Sequence, residues 1–267
     1  MSEAPDPKSL LQQHGLLAKK SFGQNFLRAP DVHRSVAKAC GAQAGDVVVE
    51  LGAGLGTLTW YLAETGAKVF AIERDRELVP ILRQVVEPLG VAVVEGNAKA
   101  VDYSSYGQGK PLCVAGNIPY QLTSPILFEL IEQRQHLRSA ALLVQKEVAE
   151  RIVAPPGNRT YGLLSVVLQA VAQVGLVRVV PRGLFHPAPK VDSAIISLRF
   201  QPDVTLPDAF MPVVRAAFQA RRKMLSNALG RFDGANDAMT ALGIAPSARA
   251  ETLSAAQFVS LSRALIA

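Results

Sequence analysis

From residue 45 onward, short β-branched runs alternate with longer amphipathic ones. Residues 46–51 (DVVVEL), 68–73 (KVFAIE), 91–95 (VAVVE), 112–115 (LCVA) and 140–144 (AALLV) are apolar at consecutive rather than alternate positions. A strand with one wet face alternates; a strand covered on both faces reads as a continuous apolar run. Between these runs, 57–64, 76–88 and 124–135 carry apolar residues at helical spacing. The alternation predicts an α/β fold, a Rossmann-like, mostly parallel sheet with helices on both faces. A helix over 145–153, a turn at Pro155-Pro156-Gly157-Asn158 and a helix over 163–172 follow. The runs 176–180 and 194–200 have no long helix between them and predict an antiparallel hairpin at the sheet edge, so that the last strand is antiparallel. Residues 201–207 (QPDVTLP) read as a linker, and from Phe210 the pattern is helical. The predicted division is a domain over 1–203, with 1–40 an N-terminal segment and helix, and a small all-α domain over 204–267. No internal repeat is visible.

Composition narrows the class. A chain of 267 residues with 49% hydrophobic and 19% charged residues can bury a sizeable core, which excludes global disorder. Two cysteines, Cys40 and Cys113, cannot form a disulfide framework and lack C-x-x-C spacing. The four histidines, His14, His33, His136 and His186, are scattered, so no metal site is expected. The N-terminus lacks the basic-then-apolar order of a secretory leader, and every apolar run is interrupted well before ~18 residues. The expectation is a reduced, cytoplasmic protein without a membrane span. The net charge of +6 suits a polyanionic partner, or only solubility.

The candidate chemistry begins at Glu50-Leu51-Gly52-Ala53-Gly54-Leu55-Gly56, where the first strand gives way to a helix. Glycines there let the backbone turn tightly and approach a ligand. In a dinucleotide fingerprint the third glycine would stand at position 57, which is Thr57. The spacing E-x-G-x-G-x-G matches instead the nucleoside-facing loop of S-adenosylmethionine-dependent methyltransferases, with NAD as the alternative cofactor. Glu73 ends the second strand, close to the ~20-residue spacing of a ribose-binding acid, and a carboxylate there can accept from both ribose hydroxyls.

The fourth strand runs into Gly116-Asn117-Ile118-Pro119-Tyr120. Ligands of open α/β sheets bind beyond the carboxyl ends of the strands, which places this loop beside the cofactor. An aryl amine such as adenine N6 is a poor nucleophile because its lone pair is delocalised. The Asn117 side-chain oxygen and a nearby backbone carbonyl can accept its two N–H bonds, orient the amine and support charge as it attacks. Pro119 stiffens the loop, and Tyr120 offers a face for stacking a base, worth ~1–3 kcal/mol. On its own the tetrapeptide is equally compatible with a plain turn beside a core tyrosine.

Together these segments resemble the ribosomal RNA adenine-N6 dimethyltransferases over nearly the whole chain. Lys20-Ser21-Phe22-Gly23-Gln24-Asn25-Phe26-Leu27, Gln145-Lys146-Glu147-Val148, Tyr161-Gly162-Leu163-Leu164-Ser165 and Phe185-His186-Pro187-Ala188-Pro189-Lys190-Val191-Asp192-Ser193-Ala194 are similar to family blocks in order. The chain is most similar to the small-subunit enzymes that dimethylate two adjacent adenosines near the 3′ end of 16S-type RNA. Large-subunit (23S) enzymes of the macrolide-resistance type and mitochondrial relatives that also serve in transcription are the alternatives within the family. A non-catalytic assembly factor on the same fold is the alternative of another class.

The resemblance implies S-adenosylmethionine as cofactor, contacted by Asn25, Leu27, Gly52, Gly54, Glu73, Asn97 and Asn117, with residues 1–40 folded over it. It implies catalytic roles for Asn117, Pro119, Tyr120 and Phe185, the last stacking on the target base opposite Tyr120. It implies RNA recognition by the helical domain, with Arg221, Arg222 and Lys223 as candidate contacts. The implied partner is small-subunit rRNA in an immature 30S-type particle, bound by a monomer that needs neither metal nor membrane. Two positions depart from the family pattern. Asn97 replaces the usual Asp, which implies weaker cofactor binding, and Ile118 replaces a common Leu, a change expected to be nearly silent.

Overall fold

The structure, a computed structural model, describes residues 3–220 and 223–265. In chain order its elements are α1 (Pro7–Gln13), β1 (Phe26–Leu27), α2 (Pro30–Cys40), β2 (Val47–Leu51), α3 (Thr57–Ala63), β3 (Lys68–Glu73), α4 (Val79–Val86) and β4 (Ala92–Glu95). Then come α5 (Ser104–Gly107), β5 (Leu112–Asn117), α6 (Thr123–Glu132), β6 (Leu137–Gln145), α7 (Lys146–Val153), α8 (Leu163–Gln169), β7 (Ala172–Val180), β8 (Phe185–His186) and β9 (Ser193–Phe200). The C-terminal helices are α9 (Phe210–Gln219), α10 (Leu225–Ala228), α11 (Ala235–Ala241) and α12 (Ala255–Ala264). The chain groups into two compact units, one of Met1–Ala149 with Gly175–Pro202 and one of Glu150–Val174 with Asp203–Ala267.

The first unit is built on a seven-stranded sheet in the order β4-β3-β2-β5-β6-β9-β7. β2 pairs in parallel with both β3 and β5, β3 with β4, and β5 with β6. β9 runs antiparallel to β6, from Ser139↔Arg199 to Gln145↔Ser193. The continuous apolar runs are thereby explained: Val48, Val49, Leu51, Val114, Ala115, Leu142 and Val144 are buried in strands flanked on both sides. β4, at an edge, is only partly buried. The chain winds outward from β2 through β3 to β4, then returns to β5 on the other side of β2. The strand order reverses there, and a crevice opens at the carboxyl ends of β2 and β5.

Local chemistry sets the element ends. Asp6 caps α1 by accepting the Ser9 N–H at 3.1 Å, and Pro7 and Pro30 stand in the first turns of α1 and α2. α2 stops at Gly41, which takes the left-handed conformation that ends many helices. One small sheet has no counterpart in the sequence pattern. β1 pairs antiparallel with β8, Phe26 opposite His186 and Leu27 opposite Phe185, which fastens the end of the N-terminal segment to the loop before β9.

In the second unit α9 packs on α8 and α12, and Phe210, Val213, Val214, Phe258 and Leu261 are buried. The Phe218 ring lies between Tyr161 at 6.2 Å and Phe258 at 5.9 Å. The Gly157 N–H donates to the Glu251 carbonyl at 2.7 Å. The expected boundary near 203 therefore needs a correction for 150–174. This segment groups with the C-terminal helices, because the apolar face of α8 and the Tyr161 ring find their partners there. The helical pattern from 210 to 232 divides into α9 and α10. Among the described residues no helix is long and apolar enough to cross a membrane, and no three His, Cys, Asp or Glu side chains form a group that could hold a metal.

Candidate active site

At the switch point lies a cavity of about 360 Å³, within the ~300–1,000 Å³ range of small-ligand pockets. Three stretches form its walls: the glycine loop after β2, the ends of β3 and β4, and the Asn117–Leu122 loop after β5, with residues 21–27 as a further side. All belong to the first unit. The glycine loop must be glycine for two reasons. Gly52 and Gly54 have φ near +71° and +59°, and a Cβ on Gly54 would meet the Phe26 ring at 3.2 Å.

Glu73 organises that loop. Its Oε2 accepts the Gly54 N–H at 2.8 Å, and its Oε1 accepts the Arg74 and Asp75 N–H groups at 2.8 and 2.7 Å. Burial raises its pKa, against the pull of these backbone donors. Three of a carboxylate's about four acceptor positions are filled. One position on Oε2 remains for a ribose hydroxyl, where the sequence suggested acceptance from two. Asn97 accepts the Lys99 N–H on Oδ1 at 3.1 Å, in a turn that presents it to the cavity, and the oxygen retains a second acceptor position. Leu27 lines the cavity from β1, and its carbonyl meets His33 Nε2 at 3.1 Å.

On the opposite wall, Asn117 Nδ2 donates to the Asn25 carbonyl at 2.9 Å. A carbonyl only accepts, so this bond fixes which end of the amide is which and leaves Oδ1 as the open acceptor. Asn25 thus contributes its carbonyl to the site, while its own side chain donates to Gly23 O at 3.1 Å. Pro119 lies 3.9 Å from the position a Gly52 Cβ would occupy, so the two loops face each other closely. Tyr120 is half-buried, and its hydroxyl shares a 2.8 Å hydrogen bond with Ser193 Oγ. Burial raises the pKa of this phenol, so it is neutral near pH 7.

The structure brings together Asn25, Leu27, Gly52, Gly54, Glu73, Asn97, Asn117, Pro119 and Tyr120. It does not bring Phe185 to the cavity wall. That side chain is 5% exposed and packs in the same hydrophobic core as Leu27, its partner across the β1–β8 register. Lys223 is exposed just ahead of α10; Arg221 and Arg222 lie outside the described residues.

Two groups of the cavity wall and two that bond to it were not foreseen from sequence. Glu50 is buried in the cavity wall with Oε2 unpartnered, and burial pushes its pKa up to about 8. An unfilled acid at that depth is a place for a cationic or hydrogen-bonding ligand group. His33 is likewise buried, and loss of solvent lowers its pKa to about 4, so the neutral ring donates to Leu27. Asp75 and Ser193 lie outside the lining and bond to residues within it, Gln24 and Tyr120. Only Glu50 carried a signal, as the first letter of the glycine-loop motif. The fit to a nucleoside-bearing sulfonium cofactor is good: a glycine cradle, open acceptors on Glu73 and Asn97, and an unfilled carboxyl group.

Comparison with known proteins gives a consistent set. Residues 15–267 match the model of a family described as ribosomal RNA adenine dimethylase. The chain is 46% identical over 269 residues to a ribosomal RNA small subunit methyltransferase A of Myxococcus xanthus, across 97% of this chain and 95% of that one. It is 43% identical over 279 residues to the protein of the same name from Anaeromyxobacter dehalogenans, across 98% of each. Among solved structures, a dimethyladenosine transferase from Plasmodium falciparum superposes with a TM-score of 0.79 at 26% identity, over 88% of this chain and 95% of that one. The 23S rRNA methyltransferase ErmE superposes with a TM-score of 0.72 at 26% identity, over 90% and 99%.

Proposed function

The chain belongs to the ribosomal RNA adenine dimethylase family, and from that premise we propose that it dimethylates N6 of two adjacent adenosines near the 3′ end of small-subunit (16S) rRNA. S-adenosylmethionine is the methyl donor, and the immature 30S-type particle in the cytoplasm is the substrate of a monomeric enzyme. Support for the small subunit over the large comes from the two relatives at 43–46% identity, both named for the small subunit, against 26% for the 23S enzyme.

Bound S-adenosylmethionine would supply a methyl group on a positively charged sulfur. Glu73, Asn97 and the glycine loop would hold its nucleoside. Asn117 Oδ1 accepts an N6–H of the flipped adenine, turns the nitrogen lone pair toward the methyl, and steadies the charge that grows on nitrogen. The methylated ammonium is acidic enough to lose its proton to water, so no side-chain base is required. Tyr120 stacks on the base and repays part of the few kcal/mol spent on unstacking it. Phe185, buried and paired with Leu27 across the β1–β8 register, supports β1.

The observation that carries this reading is the Asn117 amide, fixed by the Asn25 carbonyl with its oxygen left open on the cavity. The test is single-turnover methylation of unmethylated small subunits, read by base-resolved mass spectrometry. Asn117→Ala should lower the rate by about 10²-fold or more with little change in affinity for the particle. A wild-type rate for that variant, or small subunits left unmethylated where large-subunit RNA assayed in parallel is methylated, would overturn the reading.

A further inference from the structure

Residues 19–25 cross the cavity mouth as a strap with both sides anchored. On the cofactor side the anchor is Asp75, which is buried at 3% exposure. It accepts Lys19 Nζ at 2.7 Å and Gln24 Nε2 at 2.8 Å. Lys19 also pairs with Glu77 at 2.7 Å. Gln24 closes the arrangement, since its Oε1 accepts the Lys19 backbone N–H at 2.8 Å. Burial works against the Asp75 charge, but the Lys19 and Gln24 bonds outweigh it and hold the carboxyl below its usual range. The Phe22 ring, part of the cavity wall, has Lys19 Nζ at 5.4 Å and the Arg74 guanidinium at 5.7 Å.

On the acceptor side the strap meets the Asn117–Leu122 loop at three points. Asn117 Nδ2 donates to Asn25 O, Gln121 Nε2 donates to Ser21 O at 3.4 Å, and Gly23 lies against Pro119 and Gln121. A Cβ on Gly23 would stand 3.4 Å from each of the latter, at a φ of +65°. The strap therefore touches the loops on both sides of the cavity. Asp75 also donates its backbone N–H to Glu73 Oε1, so the loop that offers the ribose acceptor is the one that holds the strap.

We propose that Asp75 and Gln24 are positioning residues for methyl transfer: by pinning the strap they place the Asn25 carbonyl, and that carbonyl aims the Asn117 amide at the target amine. This rests on the reading of Asn117 given above. Without the pin, the Asn25 carbonyl shifts by a fraction of an ångström or more, and the Asn117 amide can rotate away or flip. A misplacement of about 1 Å by a residue remote from the chemistry can cost about 10²-fold, and a smaller one correspondingly less. The cofactor-side loop and the acceptor amide are then one mechanical unit.

The experiment compares Gln24→Ala, Asp75→Asn, Asn117→Ala and the double variant Gln24→Ala/Asn117→Ala. Single-turnover methylation of unmethylated small subunits is measured at saturating S-adenosylmethionine, with cofactor affinity by calorimetry and Tm on the same preparations. Gln24→Ala and Asp75→Asn should each slow transfer by about tenfold to a hundredfold while the saturated rate falls more than cofactor affinity does. The double variant should be no slower than Asn117→Ala, because Gln24 acts through that amide. Lys19→Gln, at a partly exposed position that cannot undo the fold, should give a smaller loss of the same kind and stands in if Asp75→Asn does not fold.

Wild-type saturated rates for Gln24→Ala and Lys19→Gln, beside a slow Asn117→Ala, would overturn the proposal. So would a double variant slowed by the full product of both factors. A wild-type rate for Asn117→Ala would instead overturn the reading of the site itself.

Discussion

At the residue scale, Tyr120 has more constraint than a stacking face needs. The ring supplies the apolar surface, but its hydroxyl is bonded to Ser193 Oγ at 2.8 Å, and Ser193 is fully buried at the start of β9. That bond joins the loop after β5 to the strand two places across the sheet, and it fixes the tilt of the ring. A stacking face alone would survive Tyr120→Phe; the tether changes this. Tyr120→Phe strands the buried Ser193 hydroxyl, at a cost of about 1–3 kcal/mol in stability, and Ser193→Ala releases the half-buried phenol from its tether. With the ring no longer held at one tilt over the base, each should slow single-turnover methylation by roughly tenfold, less than Tyr120→Ala. The double variant should be close to either single, since the same bond is lost once. A fully additive cycle in rates measured on one substrate preparation would show that the hydroxyls act separately.

At the element scale, the register of β5 against β2 decides how closely the two functional loops approach. Gly116 is the tightest point: a Cβ there would meet the Leu51 carbonyl at 2.7 Å and Ile118 at 2.9 Å. Neither the backbone of a central strand nor a buried Ile can yield, so Gly116→Ala must push the end of β5 outward. Overpacking of this kind costs ~1–3 kcal/mol. The displacement is passed directly to Asn117, so methylation should fall further than Tm suggests. A variant with a lowered Tm and a wild-type rate would show that the loop absorbs the shift. The sheet itself was legible in the sequence because strands buried on both faces leave uninterrupted apolar runs, and five were found within a few residues of their ends. β1 and β8 were not, since a two-residue strand such as Phe26–Leu27 has no periodicity to detect. The glycine loop, Glu73 and Asn117 were legible because backbone conformation and strand-end position demand those residue types. Asp75, Ser193 and the burial of Phe185 were not, because each depends on a partner 50 or more positions away in the chain; Phe185 is paired with Leu27 across the register, and local spacing is blind to such pairs.

At the scale of the whole molecule, the proposed function assigns binding of the RNA and transfer of the methyl to different groups. The cavity presents amide, carboxyl and aromatic groups from the first unit, which on the proposed function hold one cofactor and one base. Affinity for a folded RNA comes mainly from phosphates, and a net charge of +6 equips the chain for it. The segment Ala220-Arg221-Arg222-Lys223 concentrates three cations between α9 and α10, and Lys223, the one within the described residues, is exposed. If all three neutralise phosphates, the triple variant Arg221→Ala/Arg222→Ala/Lys223→Ala loses three released counterions. The slope of log affinity against log salt should then become shallower by about two to three, on the scale of ~0.7 to ~0.9 per phosphate contact. Affinity at low salt should fall accordingly. The single-turnover rate at saturating enzyme should hold near wild type, because no cavity group has changed. Asn117→Ala should show the reverse, with an unchanged salt slope and a collapsed rate. Filter binding across a salt series, paired with single-turnover methylation of the same particles, separates the two behaviours. An unaltered slope in the triple variant would remove this segment from the RNA contact and leave the charge to be sought elsewhere on the surface.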